Sequence, residues 1–142
     1  VVDEVPDIPF VAATIACTGG PERMARCQQI VAEAVPELRI VSPIPDWFDV
    51  MPKGMSKAAS LPILLDELDI TPDEVLVFGD AANDLELFGA VPNSVAVANA
   101  IPEVAEAARW HVGASAEEGV ADALFEIAVA AVTGGTPDFM KE

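Results

Sequence analysis

Apolar and polar positions follow two different rhythms along this chain, and the change between them falls near residue 52. Phe10 to Cys17 is rich in Val, Ala, Ile and Thr, a run that predicts a buried strand. Gly19 and Gly20 break it, and Pro21 suits the first turn of a helix. From Glu22 to Val35 the apolar residues Met24, Cys27, Ile30, Val31 and Val35 recur at helical spacing, and Pro36 marks the stop. Two short strands follow, near Leu38 to Val41 and Trp47 to Met51, separated by the turn at Pro43 and Pro45. The first third therefore reads β-α-β-β, which is small for a unit standing alone.

Pro52-Lys53-Gly54 breaks the pattern and is the expected domain boundary. Ser56 to Leu68 predicts a helix with Ala59, Leu61, Leu64, Leu65 and Leu68 on its apolar face, and Pro62 is expected to kink or divide it. Thr71-Pro72-Asp73-Glu74 has the form of a capping box. Val75 to Phe78 is a short, wholly apolar run, as expected of a strand buried on both faces of a parallel sheet. A short helix is predicted over Asp84 to Phe88, a strand over Ser94 to Ala98 and a helix over Pro102 to Ala108. A last short strand over Trp110 to Gly113 and a closing helix over Glu117 to Val132 follow, and Thr133 to Glu142 reads as a loose tail. Strands alternating with helices favour a doubly wound sheet.

Composition narrows the functional classes. The 142 residues are 52% hydrophobic, which argues for packed cores, and carry 24 acidic against seven basic side chains for a net charge of −17. That field repels nucleic-acid phosphates, so no nucleic-acid partner is expected. It repels phosphorylated metabolites as well, so a phosphate site here needs a local cation. Cys17 and Cys27 are too few for a disulfide framework and read as reduced, semi-buried thiols. No secretory pattern opens the chain, and Ile127 to Val132 is far too short to span a bilayer, so a cytoplasmic protein with no membrane partner is expected.

The segment with most chemical content is Val75 to Asp84. Ligands in open α/β sheets sit beyond the carboxyl ends of strands, where Asp80 falls, with Asn83 and Asp84 three and four residues later. Two carboxylates and an amide offer oxygen ligands to a hard cation such as Mg²⁺. The competing reading makes Asp80 a turn residue and Asn83 or Asp84 a helix cap.

Gly79-Asp80-Ala81-Ala82-Asn83-Asp84 resembles the GDxxND motif of phosphatases of the haloacid dehalogenase (HAD) superfamily, in the Cof-like branch with a large type IIB cap. Pro52-Lys53-Gly54-Met55-Ser56-Lys57 is similar to the stretch that carries the family's motif lysine at a helix start. The resemblance implies Asp80 as an Mg²⁺ ligand, Asn83 and Asp84 as supports for metal and phosphate, and Lys57 as the cation facing phosphate and nucleophile. Lys53 competes for that last role from the preceding turn. Val97-Ala98-Asn99-Ala100 resembles the family's GNA segment with alanine for glycine, and Glu118-Gly119-Val120 its DGV turn with glutamate for aspartate. The first departure weakens any ligand role for Asn99.

The implied fold is the C-terminal half of a HAD-type, Rossmann-like, doubly wound parallel sheet over 52–142, preceded over 1–51 by a β-α-β-β remnant of an α+β cap. The implied activity is hydrolysis of a small phosphorylated metabolite through an aspartyl-phosphate, with Mg²⁺ as cofactor. The family's nucleophile lies in an Asp-x-Asp motif, which occurs nowhere in this sequence; Asp3, Asp7 and Asp46 sit in proline-flanked, loop-like contexts. The chain alone is therefore expected to be inactive. It is also expected to self-associate or to pair with a missing N-terminal half, because the Val75 to Phe78 strand would have an open edge.

Val11 to Gly19 admits a second reading, in which Thr18 is the family's phosphate-binding threonine and residues 21–52 a small cap. The final portion of a Cof-type cap is the preferred reading. His111 is expected to be structural or at the surface, Trp47 and Phe48 to pack, and Asp66, Glu67 and Asp69 to form a solvated helix end. The alternative function is a non-catalytic HAD-like module that binds metal or phosphate. A response-type α/β domain is a weaker reading, since it leaves Lys57 and Gly79 to Asp84 unexplained.

Overall fold

Two separate three-stranded sheets organise the chain, in a computed structural model that describes residues 12–44 and 46–141. They belong to two compact units, residues 1–55 and 56–142. Phe10 and Val11 of the first expected strand, together with Asp3, Asp7 and Pro45, lie outside the described residues.

In the first unit, β1 (Ala13–Ala16), α1 (Pro21–Ala34), β2 (Leu38–Ile44) and β3 (Trp47–Pro52) form the expected β-α-β-β pattern. The sheet order is β1-β3-β2 with both pairings antiparallel, so Thr18 follows a strand of this antiparallel sheet. The helical repeat of α1 sets Met24, Cys27 and Val31 against Cys17, Phe48 and Val50, whereas Ile30 faces outward. Phe48 is fully buried, while its neighbour Trp47 points to the other face of β3 and is exposed. Packing is thus the role of Phe48 and not of Trp47.

The second unit opens with α2 (Lys57–Leu68), followed by β4 (Leu76–Gly79), α3 (Leu85–Ala90), β5 (Asn93–Val97), α4 (Pro102–Ala107), β6 (Trp110–Val112) and α5 (Gly119–Thr133). Its sheet is parallel, in the order β4-β5-β6. The central strand is the buried one: Ser94, Val95, Ala96 and Val97 are all inaccessible. The expectation that the Val75 to Phe78 run is buried on both faces is corrected, because β4 pairs with β5 alone among the described residues and is only half-buried. Phe88, Ala96 and Val104 form the core, with Val77, Leu85 and Ile101 packed against it.

Three further expectations change. Pro62 does not divide α2; its fixed φ is helical, and it forfeits one backbone bond to Ala58 in a helix already capped by the Ser56 hydroxyl, which accepts from Ala59 N at 3.1 Å. The apolar face of α2 is narrower than its spacing suggests, with Leu61 buried but Leu64 and Leu68 exposed. The tail is tied down, since the Glu126 carboxylate accepts the amides of Asp138 (2.7 Å) and Phe139 (3.2 Å), and the Phe139 ring meets Trp110 edge-on. The capping box at Thr71 forms as expected: Glu74 accepts from the Thr71 amide and hydroxyl, both at 2.9 Å. Those bonds hold the Glu74 carboxyl below its usual range. Asp66, Glu67 and Asp69 are exposed at the end of α2.

The Glu118-Gly119-Val120 turn is a packing device. A Cβ on Gly119 would stand 2.0 Å from the Gly113 carbonyl oxygen, so backbone meets backbone where β6 hands over to α5. Replacing Gly119 by Ala should lower the stability of the second unit by about 3 kcal/mol, because backbone cannot yield as a side-chain tip does. Urea unfolding of Gly119→Ala checks this, and a midpoint equal to that of the parent chain contradicts it.

Candidate active site

The tip of β4 is built around one glycine. A Cβ at Gly79 would lie 2.7 Å from Asp84 Cβ and 2.8 Å from the Phe88 ring, so only glycine lets the following turn fold back onto the strand. Residues Ala82–Asp84 then form a single 3-10 turn that delivers Asp84 to the start of α3. Asp84 is 2% exposed, and its carboxylate has donors on both oxygens. Oδ2 accepts the amides of Asp80 (3.0 Å) and Ala81 (3.3 Å), and Oδ1 accepts Lys57 Nζ at 2.5 Å.

Lys57 reaches this point from the first position of α2. An ammonium there opposes the helix dipole, and no acidic residue in the first turn of α2 relieves it. The ion pair with Asp84 supplies the missing compensation. One of the three ammonium protons is used on Asp84, so two remain for a ligand at the exposed end of the side chain. Burial on its own would raise the Asp84 carboxyl, but the Lys57 bond and the two amides together hold it below its ordinary value.

Asp80 has the opposite arrangement. Its amide is held by Asp84, and its carbonyl accepts the Ile101 amide at 2.9 Å, so the backbone is fixed from both sides. Its side chain is exposed. Asp84 makes no side-chain cap bond to α3; its carboxylate closes the preceding turn on the Asp80 and Ala81 amides instead. Between the two acids, Asn83 has a buried side-chain oxygen, Oδ1, with no donor among the described residues. A carbonyl-type oxygen left without a partner in a buried position costs about 1–3 kcal/mol, which a hard cation would offset if bound there. The oxygen-only donors Asp80 and Asn83 thus fit Mg²⁺ in type. No group of three or more His, Cys, Asp or Glu arranged to hold a metal occurs among the described residues.

The remaining candidates do other work. Asn99 Oδ1 accepts the Ser115 amide at 2.7 Å, tying the loop after β5 to the turn before α5. His111 Nε2 bonds the Ala105 carbonyl oxygen at 2.9 Å, a structural contact. Lys53 is exposed in the turn after β3. What the sequence did not reveal was the difference in burial between the two acids: the close approach at Gly79 leaves Asp84 buried and Asp80 open.

Residues 7–124 match the family of haloacid dehalogenase-like hydrolases, which is most of the chain. This chain belongs to that family. Among its relatives, YxeH of Bacillus subtilis (strain 168) is 32% identical over 130 residues, covering 91% of this chain and 48% of YxeH. The HMP-PP phosphatase of Escherichia coli (strain 55989 / EAEC) is 31% identical over 103 residues, covering 71% of this chain and 38% of that enzyme. Among solved structures, a haloacid dehalogenase-like hydrolase from Bacteroides thetaiotaomicron aligns with a TM-score of 0.73 at 27% identity, covering 84% of this chain and 45% of that one. The chain thus spans less than half the length of each. The mixed α/β architecture with a parallel sheet agrees with the HAD-like, Rossmann-like fold expected from the motifs. No helix of the described residues is long and apolar enough to cross a membrane.

The geometry of the HAD-like site makes Asp84 a pH-dependent support. Its lowered carboxyl contributes stability that is present above the unfolded value of about 3.8 and is lost as pH falls through the lower folded value. Asp84→Asn should lower stability by about 2 kcal/mol near neutrality, the scale of hydrogen bonds to a charged group. The deficit should shrink as pH drops below that of the free carboxyl. Urea titrations of both proteins from pH 7 downward check this; a deficit that is independent of pH contradicts the electrostatic role.

Proposed function

We propose that this chain forms the cation- and phosphate-facing part of an Mg²⁺-dependent HAD-like phosphatase acting on a small phosphate monoester, such as a sugar phosphate. The observation that supports this most is the tip of β4, where a buried Asp84 orients the Lys57 ammonium beside a rigidly held but exposed Asp80. On this reading Asp80 and Asn83 would hold Mg²⁺, with Asp84 as a support that positions Lys57 and the turn. Bound there, the cation supplies Lewis-acid stabilisation of charge on the transferring phosphoryl group. Lys57 binds phosphate oxygens through its two remaining protons and offsets the negative field of a chain with a net charge of −17. Asp84 keeps that ammonium aimed without titrating in the neutral range.

The reaction runs through an aspartyl-phosphate whose nucleophile comes from outside these 142 residues, since no Asp-x-Asp occurs in them. By the same reading residues 1–51 are the last portion of a cap, and the chain alone is inactive. The side of β4 opposite β5 carries no strand among the described residues. It is there that a second chain or an N-terminal segment adds a strand. A relative named as an HMP-PP phosphatase supports a small phosphorylated compound as the substrate class.

Calorimetric titration of the chain with Mg²⁺ should give binding that weakens about tenfold or more in Asp80→Ala, the effect of losing a first ligand. The parent chain should leave p-nitrophenyl phosphate unhydrolysed, and fusion to its own upstream coding sequence should restore turnover. Turnover by the chain alone that is lost in Asp80→Ala contradicts the assignment of the nucleophile. Mg²⁺ and phosphate binding without turnover in the fusion favours the non-catalytic module.

A further inference from the structure

We propose that Cys17 and Cys27 are a reversible disulfide site that staples α1 to the end of β1. Their sulfurs stand 3.1 Å apart although nine residues separate them, against a bonded length of about 2.05 Å. The chain is brought around by Gly19 and Gly20, both at positive φ (122° and 90°), which reverse it between strand and helix. The Cys17 amide donates to the Asp46 carbonyl at 2.8 Å, fixing one end of the pair. Cys17 belongs to the buried cluster with Met24, Phe48 and Val50, and the half-buried Cys27 packs against that cluster from α1. A buried thiol is ordinarily inert; what distinguishes this pair is that each sulfur is the other's nearest reactive partner.

The two thiols differ in access. Cys17 is 5% exposed and Cys27 is half-buried, so Cys27 meets solvent first. The hydrogen bond to Cys27, then burial, pushes the Cys17 thiol up, and it keeps its proton at the outset. The oxidant is a small-molecule disulfide such as oxidised glutathione. The Cys27 thiolate attacks one of its sulfurs, forming a mixed disulfide and releasing one glutathione thiolate. The Cys17 sulfur then attacks Cys27 Sγ, closes the intramolecular bond and expels the second glutathione. Two cysteine thiols are oxidised, two glutathione thiols are formed, and the two cysteine protons pass to them.

The test equilibrates the full chain in mixed oxidised and reduced glutathione, with and without urea. Acid trapping, alkylation with N-ethylmaleimide and peptide mass mapping then read the products. The expected product is a monomer with Cys17 joined to Cys27, at a disulfide-to-dithiol ratio about tenfold or more higher in the folded chain than in urea, because the fold holds the sulfurs together. Cys27→Ser, at the less buried position, should leave Cys17 as a thiol or a glutathione adduct. Equal ratios with and without urea overturn the proposal. So do glutathione adducts that never close, or disulfides between chains.

Discussion

A carboxylate that is almost wholly removed from water must have its charge answered on the spot, and around Asp84 that requirement organises the second unit. Two amides from the β4 tip and the ammonium of Lys57 meet its oxygens. Each donor constrains a different element. The amides fix the turn after β4, and the lysine ties the first residue of α2 to the start of α3. Gly79 is the steric condition for all of it, since any side chain there would push against both Asp84 and Phe88. The residue that leaves most space at the site is thus the one that makes the charge network possible.

From this anchor follows an asymmetry of charge. The whole chain is strongly acidic, yet at one point a cation sits at the N-terminal end of a helix, where the backbone already presents positive partial charge. Placing Lys57 there costs stability in isolation, and Asp84 offsets that cost while leaving the outer face of the ammonium free. Asp80 is rigid in its backbone and open at its carboxylate, and Asn83 carries an oxygen with no donor among the described residues. Burial therefore commits the Asp84 carboxylate to its ion pair with Lys57 and leaves the Asp80 carboxylate accessible.

Much of the architecture was legible in the order of apolar runs and breakers. The α1 repeat, the Thr71 capping box and the strand at 93–97 fall close to where the pattern placed them, because each is set by local spacing or capping chemistry. The errors have a common origin in tertiary context. The wholly apolar run Val75 to Phe78 has the pattern of a strand covered on both faces, yet it is only half-buried, and the inaccessible strand is β5. The tail looked loose because Glu126, which pins it, lies twelve residues before Asp138 and on another element. Within the site, the GDxxND resemblance gave Asp80 and Asp84 different roles, but the burial of Asp84 and the exposure of Asp80 depend on the close approach at Gly79, which no local spacing encodes. The contact of Cys17 with Cys27 was equally hidden, being made by a chain reversal and a helix acting together.

The site depends most on Lys57 and Asp84 acting as one unit, and a double-mutant cycle measures that coupling directly. Lys57→Met, Asp84→Asn and the double variant are unfolded in urea at neutral pH alongside the parent chain. The expected coupling is about 1–2 kcal/mol, below that of a fully buried pair because the ammonium is half in solvent. Losses that add to within about 0.3 kcal/mol would mean that the two side chains are neighbours without being partners, and the site described around them would not stand.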